Sequence, residues 1–223
     1  MEAQPKCNLI IDSCCDLPFE VIDRPGVQLL EFPYIDEKGE HSDDLYRTIT
    51  PHEFYEGMRA GSQPSTAQVP VTVFHDVFSK AIESGVPTVY LSFTSGLSGS
   101  FNTAVMMRDQ LIAEHPEAEL YVVDTYLASV AEALLVYEAL NQRDNGMTAR
   151  ELAAWAEEAR YFVDAEFMVD DLESLRRGGR IPSTVAYAGA KLDVKPLLNI
   201  SIEGKLALTG VARGRKKGIR QLA

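Results

Sequence analysis

Three short apolar runs, Leu9–Ile11, Val86–Phe93 and Leu120–Val123, each stop at small polar residues and give way to a helical pattern. The stops are Asp12-Ser13, the stretch from Thr94 to Ser100, and Asp124-Thr125. A buried strand that ends in a polar loop and feeds a helix is the unit of a parallel sheet, because parallel strands need a crossover between them. Val27–Tyr34 reads as a further strand, and Asp16-Leu17-Pro18 as a helix start. Thr50 and Glu53 form a capping box, which opens another helix. Phe74, Val77, Phe78, Ala81 and Ile82 sit at helical spacing over 71–84, and helices are expected from Ser100 to about 114, over 127–143 and over 148–160. The alternation predicts a Rossmann-like parallel sheet flanked by helices, with ligands bound outside the carboxyl ends of its strands.

Near residue 160 the pattern changes. Phe167–Asp171 reads as a strand, Leu172–Arg177 as a short helix and Gly178–Pro182 as a break. Pro196–Ile202 and Lys205–Val211 flank Glu203-Gly204 as a β-hairpin. Two domains are therefore expected, 1–157 and 158–223, the second an α/β domain that looks incomplete.

With 46% hydrophobic and 24% charged residues, a 223-residue chain can bury a core, which excludes disorder, collagen and coiled coil for the whole chain. A net charge of −12 disfavours nucleic acid or an anionic membrane as the main partner. The basic residues Arg213, Arg215, Lys216, Lys217 and Arg220 gather at the end of the chain. Cys7, Cys14 and Cys15 are too few and too close for a disulfide framework. Neither a signal peptide nor an apolar run of membrane-spanning length is visible, so a reduced, cytoplasmic, soluble protein is expected.

Candidate chemistry lies in the loops. Ser92 to Ser100 combines hydroxyls, glycines and a helix N-terminus, a setting that favours an anion. It is no Walker A loop, lacking Gly-Lys-Ser/Thr, and no nucleophile elbow, lacking G-x-S-x-G. His41, His52, His75 and His115 offer no obvious base for a serine. A second hydroxyl-rich loop spans Gly61-Ser62-Gln63-Pro64-Ser65-Thr66, and Arg176-Arg177-Gly178-Gly179-Arg180 could fork onto an anion. Asp12, Asp16, Asp124, Asp170 and Asp171 show no ligand spacing that singles out a metal site. The residues thus describe an anion pocket with no catalytic residue, metal or cofactor, suited to capturing an acidic head group. The alternative is an enzyme acting on a small phosphorylated or acidic metabolite, with Asp12 or Asp124 as base. A third reading is an interaction module.

Seven short motifs in order resemble the DegV family: Asp12-Ser13 with Asp16-Leu17, the SQPS at 62–65, the SGLSG at 95–99, Val123-Asp124-Thr125, Leu175 with Gly178-Gly179-Arg180-Ile181, Lys195–Leu198, and the basic stretch from Arg213 to Lys217. The resemblance covers essentially the whole chain. It implies a non-catalytic, two-domain α/β protein that binds a long-chain fatty acid, with the acyl tail largely in the C-terminal domain. It also implies a fatty-acid kinase partner that makes the acyl phosphate for phospholipid synthesis. Carried over by motif, Ser62 and Ser95 look like the head-group hydroxyls, with the Gly96 backbone nearby. Arg213 resembles the basic residue near the opening, and Arg180 belongs to the GGR motif. Gly61 stands where the family usually has Thr, so one hydroxyl is absent. The family's further C-terminal segment, with its His and Gly-Pro-Gly-like turn, has no counterpart here, and the chain looks shortened.

Overall fold

Strand β1 (Asn8–Asp12) lies between two parallel neighbours, β2 (Val27–Leu30) and β6 (Thr88–Ser92), and β6 pairs in turn with β7 (Leu120–Asp124). The resulting order, β2-β1-β6-β7, is the expected parallel sheet. The computed structural model describes residues 5–170, 172–181 and 194–223.

Side chains alternate across a strand, so each one feeds two cores. Leu9, Ile11, Val89, Leu91 and Val123 face α5 (Ser129–Asp144) and α6 (Ala149–Ala159), which contribute Val136, Leu140 and Leu152. Ile10 and Tyr90 face α3 (Val71–Glu83) and α4 (Ser100–Glu114), which contribute Phe74, Phe78 and Met107. Each such side chain stabilises the fold by about 1.5–3 kcal/mol on burial. Arg143 of α5 is buried and donates to the Cys7 and Pro25 carbonyls, bracing the amino end of β1. Gly26, at φ +73, gives it room: a Cβ there would come 2.5 Å from the guanidinium.

The expected strand over 27–34 is in fact two. It breaks at Glu31-Phe32, where the Phe32 N–H is taken by the Ser13 hydroxyl at 3.1 Å. The chain then enters a separate antiparallel sheet of β3 (Pro33–Asp36), β4 (Gly39–Ser42) and β5 (Ser65–Thr66), in the order β4-β3-β5. Asp16 is not a helix N-cap. With φ 52 it closes the 3-10 turn Ser13–Cys15, and α1 (Phe19–Ile22) starts after Pro18. The Thr50–Glu53 capping box is present and opens α2 (Pro51–Arg59).

The chain divides into two compact units at Val163/Asp164 rather than at 157/158. Helix α6 runs to Ala159 and continues as a 3-10 turn, Arg160–Phe162, whose first residue bonds to the Asp124 carbonyl of the first unit. The second unit holds β8 (Glu166–Met168), α7 (Glu173–Arg177), β9 (Val194–Ile200), β10 (Leu206–Arg213) and α8 (Arg215–Leu222). Its sheet has the antiparallel order β10-β9-β8 and carries the expected hairpin, with Gly204 at φ +73 in the turn. Leu172, Ile181 and Leu198 form its core with Phe167, Val169 and Leu175. Asp171 and Pro182 lie outside the described residues. Among the described residues no helix is long and apolar enough to cross a membrane.

Candidate functional site

At the carboxyl end of β1 the Asp12 carboxylate is fully buried and accepts three hydrogen bonds. They come from Cys14 N–H at 3.1 Å, Phe93 N–H at 2.7 Å and the Tyr90 hydroxyl at 3.0 Å. One side chain therefore fixes the turn after β1 to the end of β6. Burial pushes its pKa up to about 7, against the pull of those donors. Glu132, on the first turn of α5, is also buried, and neither of its carboxyl oxygens has a hydrogen-bond partner among the described residues. Burial first, then the neighbouring charges of Asp12, Asp16 and Asp124, hold its pKa well above the carboxylate range. Burial also pushes up the Cys14 and Cys15 thiols, which favours the neutral form of both. Among the described residues no group of three or more His, Cys, Asp or Glu is arranged to hold a metal ion.

The loop after β6 is bound largely to itself. Ser95 N–H donates to the Asp124 carboxylate at 3.1 Å and Gly96 N–H to the Thr94 hydroxyl at 3.1 Å. Leu97 and Ser98 N–H both turn back to the Thr94 carbonyl, at 3.2 and 3.3 Å. The Ser98 hydroxyl donates to that of Ser100 and accepts the Ser100 N–H. The expected cradle of open backbone donors is thus largely consumed, because hydroxyls close to the main chain compete for its N–H groups. Ser95 is different. It is half-buried, and its hydroxyl makes no hydrogen bond among the described residues.

Helix α2 delivers the second loop. Gly61, at φ +112, lets the chain leave the helix while Ser62 N–H returns to the Gly57 carbonyl at 3.0 Å. The Ser62 hydroxyl donates to Glu37 at 2.8 Å. Ser62 lines a pocket of about 470 Å³ whose walls include Glu31, Asp36, Glu37 and Asp44, an acidic setting. Beside it, a pocket of about 360 Å³ is walled by Phe32, Tyr46, Tyr55 and Cys14, with Tyr34 and Phe54 shared between the two. The two hydroxyl-rich loops meet further along: Val69 N–H donates to the Ser100 hydroxyl at 3.1 Å. Gly99 leaves room for Gln68 there, since a Cβ would come 2.4 Å from the Gln68 amide oxygen.

At the end of β7, Arg160 lies over the Tyr126 ring at 4.3 Å and the Tyr161 ring at 4.9 Å and donates to the Asp124 carbonyl. In the second unit, Arg180 donates to the Gly178 carbonyl, and Arg213 is exposed at the end of β10, opposite Val194.

A family model described as "Uncharacterised protein, DegV family" matches residues 6–223. The chain belongs to the DegV family. The DegV domain-containing protein CPE0026 of Clostridium perfringens is 35% identical over 217 residues, 97% of this chain and 75% of the relative. A DegV lipid binding protein from Thermotoga maritima shares the fold at TM-score 0.79 and 30% identity, over 97% of this chain and 74% of its own. A DegV family protein from Thermus thermophilus, whose structure describes fatty acid binding, matches at TM-score 0.80 and 29% identity, over 97% and 75%.

In this DegV chain the sequence-named residues fall into separate places. Gly61, Ser62, Ser95 and Gly96 lie in the first unit, on two loops tied through Val69 and Ser100, while Arg180 and Arg213 lie in the second. Arg160 escaped the sequence reading. A basic residue at a helix end reads as a complement to the helix dipole, and only the fold brings it onto Asp124, 36 residues earlier.

Proposed function

We propose that this DegV protein is a non-catalytic cytoplasmic binder of a long-chain fatty acid, which it presents to a fatty-acid kinase for phospholipid synthesis. Fatty acid binding in the Thermus thermophilus relative and lipid binding in the Thermotoga maritima relative support the ligand class. The family resemblance supports the kinase. The observation that carries the reading in this chain is the Ser95 hydroxyl at the carboxyl end of the parallel sheet, which makes no hydrogen bond among the described residues. We assign Ser95 and Ser62 as head-group donors, with the Gly96 backbone nearby and with Gly61, beside Ser62, supplying no hydroxyl of its own. In the second unit, Arg213 is assigned as the basic residue that follows the hairpin, and Arg180 of the GGR motif as structural.

A hydroxyl donates a strong bond to a carboxylate without a fixed counter-ion, which suits a ligand that must be handed on. Burial of the tail contributes about 0.8 kcal/mol per CH₂, so the tail sets affinity and the head group sets orientation. The two carboxylates considered as a base for an enzyme are both engaged with main-chain N–H groups, Asp12 with those of Cys14 and Phe93, Asp124 with those of Ser95 and Tyr126. Titration with hexadecanoate tests the proposal: the Ser62→Ala/Ser95→Ala double variant binds more weakly than the wild type, and unchanged affinity would contradict the head-group assignment.

A further inference from the structure

The carboxyl end of the parallel sheet gathers acidic groups. Asp12 and Glu132 are buried there, and Asp124 is nearly so. A carboxylate approaching the Ser95 hydroxyl comes beside the Asp124 carboxylate that takes the Ser95 N–H, and a hydroxyl alone does not offset that repulsion. Among the described residues, Arg160 is a cation in contact with this end. Its guanidinium is clamped between Tyr126 and Tyr161, at 4.3 and 4.9 Å, and donates to the Asp124 carbonyl and to the Tyr161 hydroxyl at 3.3 Å.

Two further observations show that this arrangement is built rather than incidental. Tyr126 adopts φ 54, a left-handed conformation that is costly for a residue with a Cβ. It is held there by its N–H on the Asp124 carboxylate and by the arginine over its ring. The Arg160 Nε is buried with no hydrogen-bond partner among the described residues, which leave that donor of the guanidinium unused. Asp124 joins the two groups: its carbonyl takes Arg160 and its carboxylate takes the Ser95 N–H at 3.1 Å.

We propose that Arg160 is a specificity-determining positioning residue, which makes the Ser95 site prefer an anionic head group to a neutral one of the same chain length. The inference rests on the head-group assignment to Ser95. Acting through Asp124, Arg160 holds the loop and supplies the positive field; the hydroxyl makes the contact.

The experiment compares hexadecanoate with hexadecan-1-ol on the 223-residue chain, as wild type, Arg160→Gln and Arg160→Lys. Arg160→Gln is expected to weaken the acid about tenfold, the scale of one charge-assisted contact, with the alcohol unchanged. Arg160→Lys is expected to retain most of the wild-type acid-to-alcohol ratio. A purely structural arginine would move both ligands together, so an unchanged ratio in Arg160→Gln overturns the inference while the binding proposal stands. If Arg160→Gln does not fold, loss of the ratio in Arg160→Lys overturns it instead. Failure of the wild type to bind hexadecanoate overturns the binding proposal and this inference with it.

Discussion

The Asp124 carboxylate accepts the N–H groups of Ser95 and Tyr126, both at 3.1 Å, so one side chain at the end of β7 sets the entry to the Ser95 loop and the left-handed turn beside it. Asp124→Ala strands both donors and is expected to cost about 2–3 kcal/mol, the scale of bonds to a charged acceptor. Asp124→Asn keeps one acceptor oxygen and is expected to recover at least half of that loss. Urea unfolding of the two variants checks this, and equal destabilisation would contradict the geometry.

Ser100→Ala removes the acceptor of the buried Val69 N–H and unties the two hydroxyl-rich loops. The expected cost is about 1–3 kcal/mol. Hydrogen exchange at the Val69 amide should accelerate beyond what the global loss of stability produces.

Stability should fall as pH rises from about 4 to 7. Asp12 has its pKa raised from 3.8 to about 7, and Glu132 is raised as well. Across that window the folded chain holds protons that the unfolded chain has released, so each added pH unit favours unfolding. The slope is at most about 1.4 kcal/mol per pH unit for each such proton. Burial raises Asp16 and Asp43 in the same direction, so Glu132→Gln removes one of several such groups and should flatten the profile without abolishing it. Denaturant midpoints between pH 4 and 8 decide the sign, and a profile that rises with pH would contradict it.

Ser95→Ala should weaken hexadecanoate more than Ser62→Ala does. The Ser62 hydroxyl already donates to Glu37, and its removal costs the ligand less. The expected losses are about tenfold and less than about threefold, measured by titration. The reverse order would place the head group at the other loop.

The parallel sheet was legible because Leu9–Ile11, Val86–Phe93 and Leu120–Val123 are apolar runs that a buried strand requires, and the hairpin because Glu203-Gly204 separates two such runs. The small sheet of β3, β4 and β5 was not. Its β4 reads Gly-Glu-His-Ser, without apolar alternation, and it is held by main-chain pairing and by His41 stacked on Tyr34 at 5.0 Å. Of the candidate site, the two hydroxyl-rich loops were legible from composition, and Ser62 and Ser95 within them were named only through the motif resemblance. The difference between the two hydroxyls could not be read, because it depends on where Glu37 and Asp124 fall in space. Nor could the role of Asp12, which reads as a polar strand end and in the fold anchors the Cys14 turn, Tyr90 and Phe93.

The proposed function requires the protein to carry a fatty acid. Denaturing extraction of the purified, folded chain followed by mass spectrometry tests it most directly. A long-chain fatty acid in stoichiometric amount, lost or reduced in the Ser62→Ala/Ser95→Ala variant, is the predicted result. A folded protein that is empty, and stays empty after incubation with hexadecanoate, would contradict it.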